Sequence, residues 1–382
     1  VSAASVAPTT EDLVALRAEV ERFAAEVVAP RARRPEQAMT EGQVVEILEA
    51  ADALGLIGAG VEISGLGLWE SLFDGSAARA QAFAVARAIL VPIAARNVAI
   101  AWSIHTRSLA RALCRALGLG ALPITEALPF AHHGLGRDAW ARWIASARPH
   151  DDDRALLDDA YDPRRPRLSC GLGPVAPLIA IHRHDSIQWA TGAATLEELP
   201  RAHGLDELRS RFVALGGATS VTALAPGRAR EIHADAIAAS SHALTAIARG
   251  ALSSAGAIAR AHAKQRRQGG ALIERHDAVA LLLSRGDRAL RTADASLSAL
   301  GGGSAEANVI ATLSARADLV PAITEAAHDA LQVLGGLGYM RDVGVEKVVR
   351  DLAQLRAIGG SPRELALIVA TAAAHETGAD HG

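Results

Sequence analysis

Aromatic side chains make up only 3% of this sequence: five Trp, five Phe and two Tyr. A close-packed core must therefore come from Ala, Leu, Val and Ile, and the abundance of alanine, the strongest helix former, predicts a mainly helical chain. Cysteine occurs only as Cys114 and Cys170. Two thiols exclude a disulfide framework and a four-thiolate zinc site, and they predict a reduced, cytoplasmic compartment. Lysine occurs only as Lys264 and Lys347, so arginine carries the basic character. Neither sign of charge dominates: the formal net charge is −3, which provides no basic field for nucleic acid. A long apolar run is missing as well. The stretch Ala84–Ala101 is broken by Arg87, Arg96 and Asn97, short of the roughly 20 apolar residues of a membrane span, so no membrane partner is expected. The first residues lack the basic segment and apolar run of a secretory signal.

Half of the 382 residues are hydrophobic, which excludes disorder as the main state, and the length predicts two or three packed units. Texture divides the chain into three. Residues 1–123 read as a helical domain. Thr10 is placed to cap a helix carrying Leu13, Leu16, Val20 and Phe23 and stopped by Pro30; Thr40 is placed to cap a second with Val44, Ile47, Leu48 and Ala51. Helical patterns resume from Ala77 to Leu117. Residues 124–235 read as a small β-containing middle domain. A helix is expected around Ala139–Ala147 and a solvated loop at Asp151–Asp153. Leu178–His182 and Ser186–Ala190 read as a hairpin, and Arg211–Leu215 and Ser220–Leu224 as another about Gly216-Gly217. Residues 236–382 read as a helical bundle. One stripe runs from Leu244 to His262, and further helices span Ala278–Leu300 and Ala305–Leu334, the latter with a kink expected near Pro321. A last helix follows Ser361-Pro362.

Common catalytic signatures are missing. Gly55, Gly58 and Gly60 lack the strand–GxGxxG–helix order of a dinucleotide fold, and there is no GxSxG, Walker or HExxH string. His132-His133 and the pair His182 and His184 lack an acidic or cysteine partner at ligand spacing, so no metal site is expected.

What is present lies toward the C-terminus. Ala330–Tyr339 reads ALQVLGGLGY, and Val345–Asp351 follows as VEKVVRD. Upstream, Lys264–Gly270 reads KQRRQGG; near the start stand ALGLI at Ala53–Ile57 and ISGLGL at Ile63–Leu68. In order and spacing these strings resemble the "QxLGGxGY … PVEKxxRD", "ERxQFG" and "LGL … GGLGL" motifs of the acyl-CoA dehydrogenase family. The resemblance is good over the last third, fair over the first third and poor between. It implies an N-terminal helical domain, a reduced β-domain and a C-terminal four-helix bundle, assembled into dimers or tetramers in which one subunit helps to bind its neighbour's FAD. Arg266 would meet the FAD pyrophosphate, for which a guanidinium fork is suited. Gln268, Gln332 and the backbone of Gly335 and Gly336 complete the implied cofactor set, with Ser361 keeping the hydroxyl that the family offers the flavin.

The departures from the family are at the chemistry. Gly359 stands where the family carries its catalytic glutamate, and a glycine cannot abstract an α-proton. Ile358 replaces the neighbouring tyrosine and Gly269 the phenylalanine of the "QFG" turn. Glu274–Asp277 stands in place of "xHQA". The "TEPxxGSD" string is missing, with Ser169–Gly173 as its nearest positional stand-in. Some members carry the glutamate on the first bundle helix, a position that falls at Ser240, and His242 nearby is the remaining candidate base. The resemblance thus implies an oxidoreductase subunit of lipid or steroid metabolism. With another acyl-CoA-dehydrogenase-like subunit it would form an FAD-dependent enzyme desaturating an acyl thioester, on CoA or acyl carrier protein, at the α,β-position. The alternatives are a homo-oligomeric flavin monooxygenase or other non-dehydrogenase catalyst, or a non-catalytic scaffold.

Overall fold

A computed structural model describes residues 9–58, 67–119, 124–130, 135–146, 151–200 and 203–379. His132, His133, Gly60 and Ile63–Leu66 lie outside the described residues.

The N-terminal part is helical. Thr9, one residue before the expected cap, caps α1 (Thr10–Phe23) by accepting from the Asp12 N–H, and Asp12 returns a bond to the Thr9 backbone. The helix continues through a π-helical segment, Ala24–Val28, and ends in the short α2 (Ala29–Arg31), just past Pro30. Thr40 and Gln43 form the same capping box on α3 (Glu41–Ala53), which buries the expected Val44, Ile47, Leu48 and Ala51. The paired helices α4 (Ser76–Ala94) and α5 (Val98–Ala116) follow. By length and composition α4 could cross a membrane, which the broken Ala84–Ala101 run conceals; here it is a core helix burying Val85, Ile89, Leu90 and Ile93.

The middle part is a five-stranded sheet of order β1-β3-β4-β5-β2. It comprises β1 (Glu126–Leu128), β2 (Arg167–Gly171), β3 (Pro177–Arg183), β4 (Ser186–Glu198) and β5 (Arg209–Val221). The β3–β4 hairpin pairs Ile181 with Gln188 and Arg183 with Ser186, as its alternation predicts. The second expected hairpin does not form. Gly216-Gly217 lies inside the single long strand β5, at a bulge: between the pairs Gly192–Thr219 and Ala194–Leu215, β5 has three residues where β4 has one. The expected loop at Asp151–Asp153 is instead the first turn of α7 (Asp151–Ala160), which follows α6 (Leu135–Ser146). Acidic residues suit a helix N-terminus, and Asp153 is buried in a two-bond pair with Arg142. Among the described strands of this sheet only β1–β3 is parallel. The edge strands β1 and β2 meet through side chains, Ser169 Oγ donating to Glu126 Oε2 at 2.5 Å, so the sheet curls back on itself.

The bundle begins with α8 (Pro226–Ala263), which runs through position 235 without a break. It packs mainly on α10 (Ala305–Leu334), which continues through Pro321; α9 (Asp277–Ala299), α11 (Val345–Ala357) and α12 (Pro362–Ala379) complete the layer. The scarce aromatics concentrate. Trp140, Trp143, Tyr161 and Trp189 ring the buried His233, where sheet, α6 and α8 converge. Trp69, Phe83 and Trp102 surround His105 or His242. The remaining core is chiefly aliphatic, as the composition predicts.

Candidate functional site

The turn after α8 reverses in a two-residue hairpin. Here β6 (Arg267–Gln268) pairs with β7 (Ala271–Leu272), and Gly269 and Gly270 both have positive φ, 58° and 82°. That is the I′ geometry that glycine allows and a phenylalanine at 269 would strain. The hairpin is pinned by the Ile273 N–H donating to the Arg266 carbonyl at 2.9 Å and by a 3.0 Å bond between His276 Nε2 and the Gln268 carbonyl. Facing it is the end of α10, where Gly335, at φ 59°, stops the helix and a short 3-10 segment, Gly335–Tyr339, follows. Between them lies an open groove of about 950 Å³. Five of the residues named from sequence line it together: Arg266, Gln268, Gln332, Gly335 and Gly336. A Cβ on either glycine would meet open space, so bare backbone faces the groove. Arg266 is exposed and, among the described residues, no acidic side chain pairs with it. The groove has the size of a cofactor site, and an exposed guanidinium beside bare backbone suits a diphosphate, so these residues fit one portion of an FAD.

The VEKVVRD string does structural work. The Lys347 ammonium donates to Asp351 at 2.8 Å and to Glu207 at 3.1 Å, and Asp351 accepts the Leu205 N–H. Arg350 pairs with Glu346 and Asp206 and donates to the His203 carbonyl. The motif therefore bolts α11 to the segment leaving the sheet.

A second, smaller cavity of about 150 Å³ lies where β1 and β2 meet the α11–α12 loop. Gly359 is on its wall with φ 67°; a Cβ there would stand 2.5 Å from the Phe130 ring. No base occupies that position, and the aromatic ring fills the adjoining space. The loop is held from behind by Arg316, whose buried guanidinium donates to the carbonyls of Ile358, Gly359 and Gly360 and lies 5.9 Å from the centre of the Phe130 ring. Burial lowers the Arg316 pKa to about 9.

Ser240 lines this cavity, but His242 does not. Residues two apart on a helix do not share a face. His242 points into the core, 4.5 Å from Phe83 between ring centres, fully buried, and burial lowers its pKa to about 3. A neutral imidazole sealed from the cavity cannot reach a substrate, which removes it as the base. Ser361 is also diverted: its hydroxyl accepts the Glu364 N–H at 3.3 Å as the cap of α12, and it lines neither cavity.

Sequence reading missed Glu126. Burial raises its pKa to about 7 against the opposing Ser169 hydroxyl bond, the Arg211 charge and the Cys170 backbone, and it lines the small cavity with Arg167. A carboxylate inside the apolar run ITEALPF was the available signal. His182 bonds through Nδ1 to Asp158 at 2.7 Å, and among the described residues no three metal-ligating side chains cluster.

This helical–sheet–bundle order, with its groove at the bundle end, is an acyl-CoA dehydrogenase-like fold. Residues 232–374 match the family model for the acyl-CoA dehydrogenase C-terminal domain. Of the solved structures with this fold, PigA holds FAD and proline, and a glutaryl-CoA dehydrogenase holds glutaryl-CoA. Among solved structures, the chain is similar to a nitroalkane oxidase in complex with spermine at 14% identity and TM-score 0.69, over 95% of this chain and 96% of that one. It is similar to the prolyl acyl carrier protein oxidase AnaB at 12% and 0.66, over 95% and 99%. It is similar to butyryl-CoA dehydrogenase from Megasphaera elsdenii at 13% and 0.63, over 96% and 98%. No curated protein matches the sequence.

Proposed function

We propose that this chain is a subunit of an FAD-dependent acyl-thioester dehydrogenase and lends its bundle-end groove to the FAD of a neighbouring, acyl-CoA-dehydrogenase-like subunit. The observation that carries this reading is an asymmetry. The groove that would serve a neighbour's cofactor retains Arg266, Gln268, Gln332 and open glycine backbone. The chain's own central cavity has a glycine at the base position with the Phe130 ring against it. Next to the groove, Leu337, Tyr339 and Met340 are 50%, 77% and 52% exposed, an apolar rim suited to a subunit interface.

When bound, FAD supplies the hydride acceptor for α,β-desaturation. Arg266 would hold and orient its diphosphate by charge-assisted hydrogen bonds, and Gly335 and Gly336 would let the cofactor approach the backbone. The neighbour would supply the carboxylate that removes the α-proton. Lipid or steroid acyl groups, on CoA or acyl carrier protein, in a cytoplasmic setting, are the substrates this reading anticipates.

The test is the visible spectrum of the purified chain, alone and co-expressed with its genomic neighbour. The lone chain is expected to be nearly colourless and the complex yellow and active. Arg266→Ala should strip flavin from the complex while leaving the melting temperature of the flavin-free lone chain unchanged, because the side chain is exposed. Stoichiometric FAD and dehydrogenase activity in the lone homo-oligomer would overturn the proposal. A second reading, a homo-oligomeric flavin monooxygenase or other non-dehydrogenase catalyst, is favoured by Glu126, a cavity carboxylate of near-neutral pKa suited to proton transfer. Oxygen-dependent turnover by the lone yellow protein would select it.

A further inference from the structure

We propose that the small cavity between β1, β2 and the α11–α12 loop binds a compact monocarboxylate of about six non-hydrogen atoms, with Arg167 as its cationic partner. The cavity is remote from the FAD groove: Ser240 and the end of α8 at Ala263 are about 35 Å apart along the helix. The inference therefore stands whether or not the groove holds a cofactor.

Size comes first. A cavity near 150 Å³ accommodates a molecule about as large as benzene, far less than a flavin with an acyl chain. The wall is mixed. Trp102, Leu128, Phe130 and Ile358 supply apolar surface, while the Thr106 and Ser240 side chains supply hydroxyls. Such a lining takes a short apolar body with one polar end.

Charge decides the polar end. Arg167 is 4% exposed; its Nη2 donates to the Ala180 carbonyl at 2.8 Å, whereas Nε and Nη1 have no protein partner. Among the described residues no carboxylate pairs with it. Arg316, behind the loop, donates to three backbone carbonyls, and among the described residues no carboxylate pairs with it. Asp162 acts on Arg167 only through its charge and is itself paired with Arg164, and burial keeps Tyr161 protonated. A buried guanidinium without a contacting counter-anion is costly, and a bound carboxylate removes that cost through charge-assisted hydrogen bonds. The other ionisable groups facing the cavity do not cancel the positive charge. His105, from α5, accepts from Trp69 Nε1 and is kept neutral by burial, with a pKa near 3. Glu126, from β1, has Arg211 of β5 nearby and is half protonated near pH 7. Cys170, on β2 behind it, is held as a thiol by burial. Protonated Glu126 can donate a hydrogen bond to a ligand carboxylate; ionised, it repels one.

The experiment is isothermal titration calorimetry of the full chain at pH 6.0 with butyrate and with butyramide, a neutral molecule of the same size. Butyrate is expected to bind at one site at least tenfold more tightly than butyramide, and more tightly at pH 6.0 than at pH 8.0. Arg167→Leu should reduce butyrate affinity at least tenfold. Because losing a buried arginine can compromise folding, Ser240→Leu is the second variant: it keeps helix propensity, fills the cavity from α8 and should likewise abolish binding while circular dichroism stays unchanged. Equal affinity for acid and amide, butyrate binding that survives Ser240→Leu, or no butyrate binding by the wild-type chain would each overturn the proposal.

Discussion

Glu126 is a carboxyl group almost wholly removed from water, and burial outweighs the Ser169 hydroxyl that favours its charged form. Its folded pKa lies above its unfolded one. The stability it contributes is therefore complete below about pH 4.5 and is lost as pH rises through about 7. Glu126→Gln removes the titration while keeping an acceptor for Ser169. At pH 8 the variant should be more stable than the wild type by about 3 kcal/mol, with the difference vanishing toward pH 4.5. Melting curves of both proteins across that range measure it. A constant difference at all pH values would mean that Glu126 does not bind its proton more tightly in the fold. At this scale the sequence was only partly legible. The bundle-end residues were found because their motif order survives, whereas Glu126, Arg167 and Arg316 come from β1, β2 and α10 and are neighbours only after folding.

Among the elements, the α11–α12 loop shows how a lost side chain becomes a structural commitment. With Gly359 at φ 67° and Phe130 in the space its Cβ would occupy, any side chain meets both backbone strain and a clash. Gly359→Ala should destabilise by about 1–3 kcal/mol. In a double-mutant cycle with Phe130→Ala the pair should be non-additive by roughly 0.5–3 kcal/mol, since the steric share disappears once the ring is gone. Denaturant titrations of the four proteins check this, and strict additivity would mean that ring and loop do not touch. The β5 strand carries the complementary lesson. Gly216-Gly217 reads locally as a turn, but pairing with β4 on both sides, at Ala194–Glu198 and Ala190–Gly192, makes it a bulge within one strand and not a reversal. The Asp151–Asp153 run likewise reads as solvated until Arg142, eleven residues from Asp153, neutralises its buried end.

Across the whole molecule, the Lys347 cluster joins bundle, sheet and N-terminal helices. Glu207 receives the Lys347 ammonium and also the Asn97 amide at 2.9 Å, so one carboxylate ties α11 to the cap of α5. Lys347→Ala would leave Glu207 and Asp351 buried without a cation, at a cost of about 3–5 kcal/mol. Because the cluster spans all three parts, tryptophan fluorescence and far-ultraviolet circular dichroism should shift to lower denaturant together. A shift in only one probe would show that the parts unfold independently.

The sequence by itself determined the class of architecture. Alanine-rich helical periodicity, a capping residue at Thr40, glycine stops and a strand-like middle are local properties, set within a few residues along the chain. It also determined which family motifs survive and that position 359 has no base. Tertiary structure alone decided which survivors share a site: Arg266 and Gln332 face one groove, Ser361 is spent on a helix cap, and His242 is turned into the core. It alone also placed a near-neutral carboxyl and an anion-seeking arginine on one cavity wall. Burial sets the charge of such groups, and burial depends on contacts between residues distant in the chain.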